Sequence, residues 1–510
     1  MNIFTRKKTA VFCTVLLAGA LCTGCPTGNA ANSIQFTNNE VLYNGKTIST
    51  DSSAAVYSST FTEFHEDVAE PYKDTVNTIV NITKGGIYQI SGEAADTQIR
   101  VNAPNEEVTL VLGGVTLTNH TAPAILIENA ADPKTAGEAG VTIALSTDTA
   151  NVISASHVAE YTDENGVEHD YDGAISSKVS LKIEGEGTLH VTGDKEGIES
   201  QLHLTIDGGN IEVSSADDPI NASEDGVSVI TINDGIINCA VQNGTEGDGI
   251  DSNGYIYING GSVLAQSHSD SMDSGLDADL GIVINGGIVC AAGNMYEEIS
   301  EESAQSHAQF YFAEKQQGGV PLVVTDSEGN YVLAYTPIND YTILEFSLPD
   351  MTDGTTYHLY CGGTITGTCT NGIYTEITGY EGGTQMGHRG IMQGGGRPGF
   401  GGQRPDRQPD NAPQRPQGER PENFDPNNLP GGFEPPAMPQ GAFGGFGGGF
   451  NADTPLTADF IIDSENRVYA GPCFLSIPLL RFVFQCWEDD YISNGSAVCQ
   501  QHYHTVNPNT

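Results

Sequence analysis

Four stretches of the chain follow one pattern: Leu204-Thr-Ile-Asp-Gly-Gly-Asn-Ile211, Ile230-Thr-Ile-Asn-Asp-Gly-Ile-Ile237, Ile256-Tyr-Ile-Asn-Gly-Gly-Ser-Val263 and Ile282-Val-Ile-Asn-Gly-Gly-Ile-Val289. Their third-position isoleucines, Ile206, Ile232, Ile258 and Ile284, recur every 26 residues, and Lys182-Ile183-Glu-Gly extends the series backwards by a slightly shorter step. Each unit alternates apolar and polar residues, breaks at a glycine bend and resumes with a second short alternating run, the pattern of two strands joined by a sharp corner. No helical periodicity intervenes. One such unit cannot bury its apolar side alone. Stacked at the roughly 4.8 Å spacing of neighbouring strands, the units align their isoleucines into an interior ladder and satisfy their backbones above and below. Crossovers between parallel strands are right-handed, so the repeat predicts an all-β chain built on a right-handed parallel β-helix; an antiparallel sandwich is the alternative.

A second repeated element lies between these units: Glu196-Gly-Ile-Glu199-Ser, Asp218-Pro-Ile-Asn221-Ala, Asp248-Gly-Ile-Asp251-Ser and Ser274-Gly-Leu-Asp277-Ala-Asp279. With Ile198, Ile220, Ile250 and Leu276 pointing inward, the flanking acidic residues point outward in register, coil upon coil. At a spacing of about 4.8 Å and an effective dielectric near ~20, neighbouring carboxylates repel by about 3 to 4 kcal/mol before screening. A cation among the oxygens removes that cost. Hard oxygen ligands without a matching His or Cys cluster favour calcium over zinc or copper. The competing reading is that Asp and Asn only shape the turns beside Gly. Glu196, Glu199, Asp218, Asn221, Asp248, Asp251, Asp277 and Asp279 are the candidate ligands, with Asp248, Asp251, Asp277 and Asp279 foremost. Neither the helix-loop-helix calcium loop nor the nine-residue glycine-aspartate repeat is present.

Residues 1–30 read as an export segment, with Arg6-Lys7-Lys8 as the positive end and Val11 to Leu21 as an apolar run too short for a stable membrane anchor. Leu21-Cys-Thr-Gly24-Cys25 resembles a bacterial lipoprotein signal, with Cys22 where Leu is usual. Lipidation of Cys25 and ordinary cleavage near Ala30 or Ala31 both place the mature protein outside the cytoplasm, anchored to the cell surface by lipid in the first case. The net charge of −46 argues against direct binding of a nucleic acid. The cations are also poorly placed for that role. Between Ala31 and Gln385 the only arginine is Arg100, and six of the ten arginines lie from Arg389 to Arg420. An acidic polysaccharide would need bridging calcium.

Cys239 and Cys290 are one residue out of step two coils apart, which puts them on opposite faces, beyond the roughly 7 Å reach of a bridge. Cys361 and Cys369 flank a hairpin-like stretch and are expected to pair across it in an oxidising compartment. Cys473, Cys486 and Cys499 form an odd set in the tail.

Along the chain, residues 31–76 read as an irregular cap and 77–294 as the β-helix, with a polar insertion from His157 to Asp172 as a candidate loop over a binding face. Residues 297–380 read as antiparallel strands of a small β-sandwich covering the last coil's edge. Residues 381–453, rich in Gly, Pro, Arg and Gln, cannot bury a core and are expected to be disordered. A returning strand is expected within 454–471, and 472–510 remain unassigned.

The runs Ile90-Ser-Gly-Glu, Val108-Thr-Leu-Val-Leu-Gly-Gly-Val-Thr-Leu, Leu181-Lys-Ile-Glu-Gly-Glu-Gly-Thr-Leu, Asp217-Asp-Pro-Ile-Asn-Ala, Gly247-Asp-Gly-Ile-Asp-Ser-Asn-Gly, Ile258-Asn-Gly-Gly-Ser-Val and Tyr357-His-Leu-Tyr-Cys-Gly-Gly-Thr together resemble the clostridial carbohydrate-binding β-helix proteins. The resemblance covers roughly Ile79 to Thr378. It implies a pectate-lyase-like β-helix, bound calcium, and binding of plant cell-wall polysaccharides such as cellulose and polygalacturonate without established cleavage. Asp248 and Asp251 match the family's acidic turn. Pro219 stands where that family has Gly and narrows the backbone options at Asp218 and Asn221.

The same fold serves lyases and hydrolases, so chemistry rests on the site. Calcium-dependent pectate elimination needs a base beside the metal; Lys195 is the only basic residue beside an acidic turn and is the candidate, against the ordinary reading of a solvated charge. For binding, Tyr255 and Tyr257 alternate with Ile256 and Ile258 and so point out of the core, either as a sugar platform or as ordinary strand residues. The preferred expectation is noncatalytic polysaccharide binding; a lyase and a purely structural adhesin are the alternatives.

Overall fold

The computed structural model describes residues 32–388 except 39, 64–66, 163–165, 167, 350, 353 and 371, together with 459–462 and 472–475. The export segment with Cys25, nearly all of the low-complexity segment, and the tail from 476 with Cys486 and Cys499 lie outside these residues. The described chain is all-β, with a single 3-10 turn at Glu70–Tyr72. Among the described residues no helix is long and apolar enough to cross a membrane.

The 26-residue repeat folds into coils of three strands. Leu181–Gly185, Thr188–Gly193 and Glu196–Ser200 make one coil; His203–Ser215 turns a corner within its length and is followed by Ile220–Ala222. Val229–Val241 and Ile250–Ser252 repeat that plan, as do Tyr255–Ile258, Ser262–Gln266 and Leu276–Ala278. Gly281–Ile284 and Ile288–Gly293 end the series. Every strand pairs in parallel with its counterpart in the next coil. Ile206, Ile232, Ile258 and Ile284 stand in one row, Leu189, Ile211, Ile237, Val263 and Val289 in a second, and Ile198, Ile220, Ile250 and Leu276 in a third. All are at most 2% exposed and belong to one core. The apolar rows thus close on one another, while the backbone is satisfied between coils.

The corner after the first strand explains the Asn-Gly-Gly signature. Asn233 Nδ2 donates to Asp207 Oδ1 (2.7 Å), Asn259 to Asn233 (2.8 Å) and Asn285 to Asn259 (2.9 Å), an amide ladder along the outside of the coils. Gly261 follows with φ +78°, and a Cβ there would stand 2.8 Å from the Gly235 carbonyl oxygen of the coil before. Both the left-handed backbone and the close approach demand glycine. Gly261→Ala is therefore expected to cost about 2 kcal/mol, read from the midpoint of denaturant unfolding; an unchanged midpoint would show that the corner tolerates a side chain.

The N-terminal region is more regular than an irregular cap. Asn32–Phe36 pairs in parallel with Gly86–Ala94 and so extends a coil ladder, and Val56–Phe61 closes the third ladder by pairing antiparallel with Asn77–Ile82. At the other end, Tyr341–Ser347 pairs antiparallel with both Ile288–Gly293 and His307–Gln316, covering the edge of the last coil. A second apolar cluster gathers Phe310, Phe346, Tyr335 and Leu359 there. Cys239 faces the coil interior and Cys290 faces this second cluster, on opposite sides of the ladder. Phe460–Ile461 pairs with Thr356 and Tyr357. Two expectations are corrected. Thr384–His388 is a strand paired to Tyr360 and Cys361 and to Pro472–Leu475, because those strands supply its backbone partners despite the glycines around it. Cys361 and Cys369 do not bridge: both are free thiols. The strand carrying Cys361 pairs with Leu322–Asp326, whereas the strand carrying Cys369 turns away to pair with Ile373–Glu381.

Candidate cation site on the third face of the coils

The third strand of each coil carries the acidic turns, and its short length lets consecutive turns stack directly. Register places Ser176, Glu199, Asn221, Asp251 and Asp277 in one column. A second column, Glu196, Asp218, Asp248 and Ser274, runs beside it and is stitched by hydrogen bonds: the Asp248 amide donates to Asp218 Oδ1 (2.7 Å), and the Ser274 amide and hydroxyl donate to Asp248 Oδ1 (2.6 and 3.0 Å). The turn-shaping reading therefore accounts for one oxygen each of Asp218 and Asp248.

It does not account for the rest. Carboxylate oxygens of Asp248, Asp251 and Asp277 lie within 4.8 Å of one another. Among the described residues, neither Asp248 nor Asp251 forms an ion pair with Lys, Arg or His. Burial, then the neighbouring Asp277 charge, pushes Asp248 up to about 7 and Asp251 up to about 8. Such a cluster favours either protons or a multivalent cation. Oxygen-only donors in a flexible set of turns fit a hard cation.

At the adjoining coils the columns, which face away from the coil interior as expected from the register, are covered rather than exposed. Glu196 and Glu199 are only 5% and 4% exposed. Glu199 Oε2 accepts from the Ser176 hydroxyl (2.7 Å) and from the amides of Asp172 and Gly173 (3.1 and 3.3 Å), while Glu196 Oε1 accepts from Asn221 Nδ2 (2.7 Å). Burial raises Glu199 to about 7 and holds Glu196 and Asp218 well above the usual carboxylate range. Asp172 Oδ1, Glu196 Oε2 and Asn221 Oδ1 are buried and accept no hydrogen bond from the described residues. Pro219 does not disturb the stacking, since its carbonyl accepts the Ile198 amide at 2.9 Å.

Asp172 is a residue the repeat did not single out. It immediately precedes Gly173, and the Asp-Gly pair one step out of phase with Asp248-Gly was its only signal. Its Oδ2 holds Lys195 Nζ at 2.5 Å. Burial alone would lower the Lys195 ammonium, but the bond to Asp172 and the surrounding carboxylates outweigh it and hold its pKa above the ordinary value. Lys195 is thus a fixed positive charge for this end of the array, which the Asp248 end lacks. Asp279 lies on the exposed side, outside the triad.

Tyr255 and Tyr257 do point outward, with ring centroids 5.7 Å apart, while Ile256 and Ile258 are buried. They lie on the first strand of their coil, the acidic turns on the third. Arg100 bonds to Gln98 and pairs with Glu128; through Leu126 it stands in register with the first column, two coils before Ser176.

No curated protein matches this chain. The structure of the polysaccharide lyase-like protein from C. thermocellum, a gadolinium derivative, is similar at 26% identity over 51% of this chain and 93% of that one, with a TM-score of 0.36. A superposition that loose fixes neither fold nor function. The family model described as carbohydrate-binding domain-containing protein matches residues 76–327, a segment that includes every acidic turn and both outward tyrosines. Over that segment, just under half of its length, the chain is similar to the carbohydrate-binding domain-containing protein family.

Proposed function

We propose that this is an exported, calcium-stabilised, right-handed parallel β-helix, capped by a small β-sandwich, that binds cell-wall polysaccharide of the cellulose or pectin class without cleaving it. The match of residues 76–327 to a carbohydrate-binding family model supports the glycan. The observation that carries the metal is the Asp248, Asp251 and Asp277 triad, which gathers half-buried carboxylates with, among the described residues, no basic partner for Asp248 or Asp251. Calcium suits the site because its six to eight oxygen ligands tolerate irregular geometry. The same ion would bridge to a uronate carboxylate, reconciling an acidic glycan with a chain of net charge −46.

The lyase alternative draws on Lys195, the one base beside the array. Elimination needs a base that is unprotonated when the substrate arrives. Lys195, ion-paired to Asp172 and held protonated, is the wrong form for that step. The test is retention of the protein on insoluble cellulose and on calcium-crosslinked polygalacturonate, with and without chelator, with the ultraviolet absorbance of unsaturated uronates followed in the same tubes. Retention without new absorbance is expected. Growing absorbance would convert the reading to a lyase, and no retention on either matrix would leave a structural surface protein.

A further inference from the structure

Outside the acidic columns, the third ladder carries a second built feature. Thr97–Asn102 and Ile125–Asn129 pair in parallel, with Ile99, Val101, Ile125 and Ile127 buried in the core. Their alternate residues, Gln98, Arg100, Leu126 and Glu128, therefore face away from it. Here the insertion beginning at His157 folds back over it as an antiparallel pair, Val158–Thr162 with Glu168–Tyr171. Val158 and Tyr171 pack on Ala122 and Leu126 in a small apolar cluster separate from the coil interior. The insertion is pinned at its root, where the His157 amide donates to Asp194 Oδ1 at 2.8 Å.

Between the insertion and the ladder is a pocket of about 240 Å³. One wall is aromatic: Tyr161 stacks on His169 with centroids 4.8 Å apart and planes 16° from parallel, and His169 Nδ1 is 3.2 Å from the Tyr171 hydroxyl. The floor is polar: Arg100 Nε donates to Gln98 Oε1 (2.8 Å), and Arg100 Nη1 stands 3.6 Å from Glu128 Oε1. Gln98 is almost wholly buried and fixed by donation to the Pro123 carbonyl (2.9 Å). The one arginine between Ala31 and Gln385 is thus spent on the floor of a pocket rather than on the surface.

We infer that this pocket is a calcium-independent subsite for one neutral sugar ring, as found at a chain end or a side branch of a glycan. The inference rests on the glycan-binding reading above and adds a second, metal-free site to it. An apolar ring face suits the C–H face of a pyranose, and a guanidinium, an amide and a carboxylate supply the donors and acceptors that hydroxyls need. The volume admits about one ring and not a long internal chain segment. Neutrality follows from charge, because Glu63 and Glu128 flank the single guanidinium and would repel a uronate carboxylate.

The experiment is ligand-observed NMR on the intact protein with cellotriose, xylotriose and trigalacturonate, each with and without chelator, for the wild type, Tyr161→Ala and Arg100→Gln. Tyr161 lies on the insertion, so its removal leaves the coil core in place; melting temperature and circular dichroism check that both variants fold. At least one neutral trisaccharide is expected to bind equally with and without chelator and to lose tenfold or more in affinity in each variant. Trigalacturonate binding is expected to depend on calcium and to be indifferent to Tyr161→Ala. Neutral binding unchanged in both folded variants would overturn the pocket assignment alone, as would retention of polysaccharide by a wild type that binds no neutral trisaccharide. Failure to bind any trisaccharide or polysaccharide would overturn the underlying glycan reading as well.

Discussion

In the presence of a chelator, the protein is expected to be more stable at pH 5.5 than at pH 8.5, with the melting temperature falling by about 5 °C or more across that interval. Asp248 and Glu199, raised to about 7, and Asp251, raised to about 8, bind protons more tightly in the folded chain than in the unfolded one, where ordinary carboxylates titrate near ~4. Their contribution is therefore fully present below the unfolded value and is lost as pH rises through about 7 to 8. A tenfold difference in proton affinity is worth about 1.4 kcal/mol, so a few groups together reach several kcal/mol, and in a chain of this size about 5 °C or more in melting temperature. Calcium replaces the protons. Saturating calcium should raise the melting temperature strongly at pH 8.5, weakly at pH 5.5, and so flatten or invert the pH slope. Differential scanning calorimetry over the four combinations decides it. A chelated protein whose stability rises with pH would show that the array is not a store of repelling carboxylates.

How much of this was legible beforehand depended on whether a residue's role repeats along the chain. Ile206, Ile232, Ile258 and Ile284 recur at a fixed step because each packs on the same residue of the coil before, so the sequence printed the core directly. The columns of Glu199, Asn221, Asp251 and Asp277 were legible for the same reason. The burial of Glu199 was not, because part of what covers it is Asp172 at the end of a non-repeating insertion. The sugar-sized pocket was invisible for a related reason: Arg100, Glu128, Tyr161 and His169 come from two coils and an insertion, and no spacing announces their meeting. The Cys361 and Cys369 expectation failed where repetition ends, because the two strands that carry them, although neighbours in sequence, pair with different partners. Where Thr384–His388 joins a sheet, composition misled, since strand formation there depends on partners from Thr356–Cys361 and Pro472–Leu475 rather than on local propensity.

Replacing Asp248 and Asp251 together by Asn should change sign with calcium, which makes it the sharpest probe of the triad. Asn keeps a carbonyl oxygen in place of each carboxylate oxygen, so the acceptor that binds the Ser274 amide and hydroxyl survives. The charge does not. In chelator at pH 8.5 the double variant loses two of three clustered negative charges and is expected to melt higher than the wild type. In calcium it is expected to melt lower, because affinity for a hard cation follows ligand charge, and a site whose dissociation constant lies about 100-fold below the calcium concentration contributes about 2.7 kcal/mol that the variant forfeits. A calcium affinity within twofold of wild type by titration calorimetry would move the ion away from this turn. A chelated variant less stable than wild type would mean that the aspartates hold the turns by their hydrogen bonds and that their mutual repulsion is minor. The crossing follows only if both halves of the argument hold: the coil stacks acids closer than water would allow, and the ion makes that stacking favourable.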